Sequence, residues 1–344
     1  MSEKNFAEPR ASLSVGSAHA GFTVTSVEQI PEISGCAYVM RHDATGARAL
    51  WLACADTNKA FAISFKTPPA DNTGVFHILE HSVLCGSDRY PVKEPFVNLL
   101  KTSMQTFLNA MTFPDKTMYP VASTNTADLE NLMNVYLDAV LHPAIWHRRR
   151  IFEQEGWHLE VAEDGSLAYN GVVLNEMKGA LSDPDDVLYQ ALTHQLFPDT
   201  CYGFESGGNP RAIPELTYEG FLNTHARHYA PSNAYVILYG DLDVDRELAL
   251  VDEHLSGAAE RGAGAPNPLE LQAPVRAPRT EVRMATAPSN AGAGLSYVIG
   301  TADQRTRVLA ADVLLDALCG SNEAPLKRRV LDAGLADDFS ATLI

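Results

Sequence analysis

His77, Glu80 and His81 stand in the order H-x-x-E-H within the segment "VFHILEHSVLC". Positions i and i+4 of a helix lie on one face about one turn apart, so two imidazoles at this spacing can reach one metal ion. Glu80 projects near the same face, where its carboxylate can sit beside a bound water. The chemistry this suggests is hydrolysis. Zinc accepts neutral imidazoles, lowers the pKa of bound water to about 7 and polarises a carbonyl. A carboxylate can then take the water's proton and pass it to a leaving amine. The expectation is one zinc ion per chain on His77 and His81, with Glu80 as the base.

Three protein ligands leave one position open for water. Spacing alone does not find the third. Glu153, Glu155 and Glu176 are acidic candidates on expected helices, and each also reads as a solvated surface carboxylate. His142, His147, His158, His194, His225 and His228 are further candidates, and each also reads as a surface or packing histidine. His225 and His228 precede an expected strand and have no carboxylate at a matching spacing.

The elements that must position these groups follow from local pattern. "PPADNTG" is a breaker cluster before the motif helix, with Asn72 or Thr73 placed to cap it and Gly86 to end it. Upstream, "CAYVMRH", "ALWLAC" and "AFAISF" read as a meander of antiparallel strands between Gly35 and Phe65. Between Leu99 and Ala122, "TFLNAMTF" and "KTMYPVAS" read as short strands, with Met104, Phe107 and Leu108 expected in the core. Helical spacing covers Thr126 to Val140 and again Arg148 to Glu155, stopping near Gly156. "WHLEVA" and "LAYN" flank the turn "EDGS" as a hairpin. "GVVLNEMKGALS" reads as a helix capped by Asn170 and broken by Pro184. "SNAYVILYGDL" is a strong strand.

The expected fold class is α+β, an antiparallel or mixed sheet with helices packed on it. Residues 1–20 read as a flexible lead-in and 21–260 as the metal-binding domain. Residues 261–279, rich in Ala, Gly and Pro, read as a linker. Residues 280–344 read as the start of a second α/β unit, with a strand at "GLSYVIG" and a helix at "TRVLAADVLLDALCG".

Bulk properties exclude several function classes. The 344 residues fit about two domains. Acidic residues number 43 against 26 basic, a formal charge of −17. Nucleic acid is not an expected partner, because phosphate binding needs clustered Lys and Arg. An acidic surface can steer basic peptides, and equally serves solubility. Five scattered cysteines form no CxxC pair, which argues against a disulfide framework or a thiolate zinc site. No apolar run approaches the roughly 18 residues of a membrane helix, so no membrane is expected. No signal or transit peptide is visible, and the expected location is a bacterial-type cytoplasm.

The run from "HILEHSVLCGSDRYPVKEPFVNLL" through "KTSMQTFLNAMTFPDKTMYPVASTN" resembles the pitrilysin/insulinase family of inverzincin metallopeptidases, specifically its presequence-protease branch. "FEQEGWHLE", "YNGVVLNEMKGA" and "HYAPSNAYVILYGDLD" continue the match in order. "YVIGTADQRTRVLAADVLLDALCGSNEAPLKRRVLDAGL" is similar to the start of the family's second homologous domain. The resemblance implies that Glu176 completes the metal site with His77 and His81, 95 residues beyond His81. It also implies that peptide adds to a sheet edge at "TFLNAMT", with Asn109 and Ala110 offering hydrogen bonds. Leu84, Phe96, Val97 and Leu100 match positions lining a pocket beyond the scissile bond, and equally suit core packing.

The implied function is a zinc endopeptidase acting on unstructured peptides. The family's four domains form two halves, and the second supplies an Arg and a Tyr that stabilise the oxyanion. A missing C-terminal half is therefore an expected partner, without which turnover is weak or absent. Two other readings are a non-catalytic family subunit and a zinc hydrolase of small molecules. The intact motif speaks against the first, and the long peptide-cleft segments against the second.

Overall fold

Alternating buried and half-buried side chains build one mixed sheet in this computed structural model, which describes residues 12–92, 95–258, 269–276 and 279–343. The strands are β1 (Ala18–His19), β2 (Phe22–Ile30), β3 (Gly35–His42), β4 (Arg48–Ala53), β5 (Lys59–Lys66), β6 (Gln105–Leu108), β7 (Met111–Thr112), β8 (Lys116–Ser123), β9 (His158–Val161), β10 (Leu167–Asn170) and β11 (Ala234–Tyr239). The sheet runs β1-β2-β3-β4-β11-β5-β8, and β6 and β7 both pair with β8 along its outer side. β9 and β10 form a separate antiparallel hairpin, as the turn "EDGS" predicts.

The helices are α1 (Val75–Val83), α2 (Pro95–Thr102), α3 (Thr126–Leu141), α4 (Arg149–Glu155), α5 (Val172–Ala180), α6 (Pro184–Leu196), α7 (Tyr218–His228), α8 (Val244–Gly257), α9 (Arg305–Cys319) and α10 (Pro325–Asp332). α3 packs on β5 and β8. Phe61, Ile63 and Phe65 of β5 are buried with Leu129, Leu132, Met133 and Tyr136 of α3. Each such side chain contributes about 1.5–3 kcal/mol of burial. α1 packs against α4, α7, β7 and β8, which sets the motif helix beside the sheet's outer edge.

The structure is the expected α+β class, with several local corrections. β3 and β4 pair antiparallel, but no simple meander continues to β5. β11 inserts between them, parallel to β4 and antiparallel to β5. Residues 95–102 form a helix that the strand-like reading of this region missed; Pro95 starts it, where a missing N–H costs nothing. α1 is preceded by Gly74 in left-handed conformation, and neither Asn72 nor Thr73 caps it. α5 begins after Gly171 without a side-chain cap, one residue beyond Asn170. Pro184 begins α6, whose cap is Asp183. His225 and His228 lie on α7. Met104 and Phe107 are exposed, because β6 is an edge strand.

The chain divides into two compact units, Met1–Gly294 and Leu295–Ile344. The expected lead-in is described from residue 12, and its end is not a free lead-in, because β1 pairs there with β2. Of the expected linker, residues 269–276 and 279 are described and carry no helix or strand, and the rest lies outside the described residues. In the second unit α9 and α10 pack together. "GLSYVIG" is not a strand there, and Leu295, Tyr297 and Val298 are exposed. Its β-propensity is unmet because no neighbouring strand is available among the described residues of that unit. No helix of the described residues is long and apolar enough to cross a membrane.

Candidate metal centre

Two helices, α4 and α5, and one loop converge on the H-x-x-E-H face of α1. His77 and His81 sit one turn apart with ring centroids 4.9 Å apart. Glu176 of α5 brings Oε2 to 3.7 Å from Nε2 of each histidine. These three donor atoms lie within 4.8 Å of one another, and among the described residues no other set of three or more such groups does. Of the acidic candidates left open by spacing, this selects Glu176. Glu153 instead pairs with Arg149 at the surface.

The other nitrogen of each imidazole is held. His77 Nδ1 lies 2.9 Å from the Gly207 carbonyl oxygen. A carbonyl only accepts, so the proton is on Nδ1 and the lone pair on Nε2. His81 Nδ1 faces Glu155 Oε2 at 3.4 Å. Burial disfavours the charged form of His81, but the hydrogen bond it donates to Glu155 and the charges of Glu80, Glu155 and Glu176 outweigh it and raise its pKa. Burial likewise works against the Glu155 carboxylate. His81, Gln154 and Cys85 outweigh it and hold the pKa below the ordinary value. Imidazoles oriented this way, with Nε2 turned to a carboxylate oxygen, are a donor set that suits zinc.

Glycines make the convergence possible. Gly74 has φ +65, and a Cβ there would meet Gly208 Cα at 2.6 Å and Gly207 O at 2.7 Å. This backbone contact sets the loop carbonyl against His77. Asn72 fastens the same loop: its Oδ1 accepts from Glu205 N and its carbonyl from Asn209 N, both at 2.8 Å. Glu155 and Glu176 are brought together by the stem of the β9–β10 hairpin. A Cβ on Gly171 would lie 2.1 Å from Gly156 O.

Glu80 is buried, and Thr112 Oγ1 donates to its Oε2 at 2.6 Å. Behind it, Tyr119 and Tyr229 share a hydroxyl–hydroxyl hydrogen bond of 2.8 Å. Burial pushes both phenols well up, and the Glu80 charge adds to the shift. A cleft of about 680 Å³ opens next to the loop, lined by Lys178, Glu205 and Arg211 among others.

The expected peptide-binding residues are spread. Asn109 and Ala110 lie on the outer edge between β6 and β7. The Asn109 side chain is turned back to its own chain, Oδ1 accepting from Ala110 N at 2.9 Å. Leu84 is buried in the core, and Phe96 packs against it. Val97 is half-buried and Leu100 is 45 % exposed on α2. Of the other histidine candidates, His225 is buried and bonds Val140 O, His158, His194 and His228 bond backbone carbonyls, His142 is half-buried and His147 is exposed. Thr112, Gly207 and the role of Glu155 carried no recognisable spacing in the sequence.

Residues 67–161 match the family model described as Insulinase (Peptidase family M16), and residues 215–344 match Peptidase M16 inactive domain. The chain is 46% identical over 336 residues to Protein HypA of Clostridium perfringens, covering 94% of this chain and 34% of that protein. It is 50% identical over 236 residues to presequence protease 1, chloroplastic/mitochondrial, of Arabidopsis thaliana, covering 68% of this chain and 22% of the plant protein. The mitochondrial presequence protease of Mus musculus is 38% identical over 344 residues, covering 95% and 32%. The chain thus spans about a third or less of the length of these relatives. The crystal structure of pitrilysin shares the fold, with a TM-score of 0.56 over 74% of this chain and 26% of pitrilysin at 17% identity.

Proposed function

Because this chain belongs to the insulinase (M16) peptidase family and corresponds to its N-terminal portion, we propose that it carries the catalytic site of a zinc metalloendopeptidase acting on unstructured peptides. The observation that carries this reading is the approach of His77 Nε2, His81 Nε2 and Glu176 Oε2 next to a buried Glu80. His77, His81 and Glu176 would hold a zinc ion, which would supply a Lewis acid and lower the pKa of water to near neutral. His77 and His81 present Nε2 because Gly207 and Glu155 hold Nδ1. Glu80 accepts a proton on its carboxylate from the attacking water and delivers it to the leaving amine nitrogen. The peptide lies as an added strand along the outer side of β6 and β7, where Asn109 and Ala110 sit, which grips backbone with little demand on sequence. Phe96, Val97 and Leu100 of α2 form the apolar wall for a side chain beyond the scissile bond, while Leu84 is buried in the core. Basic peptides are the favoured class, drawn by the charge of −17 and by likeness to presequence proteases.

A second reading concerns turnover. The relatives are about three times longer, and apolar side chains at Leu295, Tyr297 and Val298 are exposed. In this reading the chain binds zinc and peptide, and efficient cleavage needs a C-terminal half.

Zinc content and peptide cleavage, measured on the chain and on Glu80→Gln, test both. One zinc per chain in each, with cleavage only before substitution, supports the peptidase reading. Zinc in each without cleavage favours the half-site. A folded protein that takes up no zinc overturns the proposal.

A further inference from the structure

The short strand β7 links the sheet's free edge to the candidate base through one side chain. Register along the edge is continuous: Leu108 stands opposite Val121, Met111 opposite Met118 and Thr112 opposite Thr117. Asn109 N donates to Pro120 O and Phe113 N to Lys116 O. In an antiparallel pair the residues bonded to the neighbour alternate with residues whose backbone groups turn away. Asn109, Met111 and Phe113 therefore face β8, while Ala110 and Thr112 turn their backbone N–H and C=O outward. The Ala110 N–H is taken by Asn109 Oδ1.

Thr112 thus offers backbone to the open edge while its hydroxyl donates to Glu80 Oε2 at 2.6 Å. That length is typical of a charge-assisted O–H···O⁻ bond, about twice as strong as a neutral one. Threonine is β-branched, so its χ1 is stiff and the hydroxyl is held where the strand places it. Glu80 has three rotatable side-chain bonds, and one anchored oxygen removes much of that freedom. α1 packs directly on β7, so the anchor bridges two elements and not one turn.

We propose that Thr112 is a positioning residue: it fixes the Glu80 carboxylate in register with a peptide paired to the β6–β7 edge. This inference rests on the peptidase reading above and adds how the base is aligned with the substrate strand. Nothing in Thr112 is consumed or charged. It donates one hydrogen bond to Oε2 and leaves the proton-accepting role to the carboxylate.

The test uses Thr112→Val, which keeps the shape and removes the donor, and Thr112→Ser, which keeps the donor. In the metal-free chain the carbon-13 carboxyl resonance of Glu80, assigned by its loss in Glu80→Gln, moves in Thr112→Val and returns in Thr112→Ser. An unmoved resonance in Thr112→Val overturns the contact. In the zinc-loaded chain a phosphinic peptide, whose tetrahedral centre meets the base, binds about ten-fold more weakly to Thr112→Val, the size of one charge-assisted hydrogen bond. A matched uncleavable peptide without the phosphinate changes by less than about two-fold, since it misses only the base. Equal losses for both peptides overturn positioning and make Thr112 a peptide-edge residue alone. Absence of zinc in every variant counts against the metal reading, and the metal-free resonance then decides for or against Thr112.

Discussion

Glu155 Oε2 lies 3.4 Å from His81 Nδ1, while its Oε1 accepts from Gln154 Nε2 at 2.8 Å. The carboxylate is buried and its pKa is depressed, so it stays charged against His81 at neutral pH. A carboxylate behind a ligating imidazole fixes the ring and raises its basicity. Glu155→Gln keeps the shape and removes the charge. Its zinc affinity is expected to fall about 10–100-fold, read by competition with a chromophoric chelator. His77→Ala and Glu176→Ala lose the metal more completely, because they remove donor atoms. Equal affinity in Glu155→Gln and the parent would show that the contact does not tune the site.

Gly74 is the next point of leverage. Its φ is +65, and a Cβ there would come within 2.6 Å of Gly208 Cα and 2.7 Å of Gly207 O, both backbone, which leaves no room for a side chain. Gly74→Ala is expected to cost about 1–3 kcal/mol, the scale of strain for a non-glycine residue held left-handed. It should also weaken zinc binding, because relief of the clash moves the Gly207 carbonyl off His77. Urea midpoints and chelator competition read the two effects separately. A loss of stability with unchanged metal affinity would place the orientation of His77 elsewhere.

The two histidines and the base were legible because one helix turn brings them together, and that is local geometry. Glu176 was not legible from spacing. It is 95 residues from His81, and its approach depends on Gly171 closing on Gly156 and on α4 lying between α1 and α5. Resemblance singled out Glu176, and the geometry brings the same residue to the histidines. Strands were recognised by alternation, but alternation does not name neighbours, so the insertion of β11 between β4 and β5 was invisible. "GLSYVIG" carries strand propensity and forms none, since a strand is a property of a pair. Thr112 looked like any strand threonine until β7 was set beside α1.

Glu247 supplies a pH-dependent prediction away from the metal. It is fully buried on α8, and neither carboxylate oxygen has a hydrogen-bond partner. Burial, with the charges of Glu130 on α3 and Asp243 on α8, raises its pKa to about 7, against the opposing pull of Arg246 on α8 and Lys59 on β5. The folded state therefore holds this proton more tightly than the unfolded chain, whose value is near 4.5. Between those two values the native state binds more protons, so stability falls as pH rises, and the full cost is present above pH 7. The scale is roughly 3 kcal/mol at most. Glu247→Gln is neutral at every pH, and its amide suits Glu130, whose Oε1 also lacks a partner. Urea midpoints of the metal-free chain should decline from pH 5 to pH 8, and those of the variant should decline less and lie higher at pH 8. Parallel curves would mean that Glu247 does not hold its proton through this range.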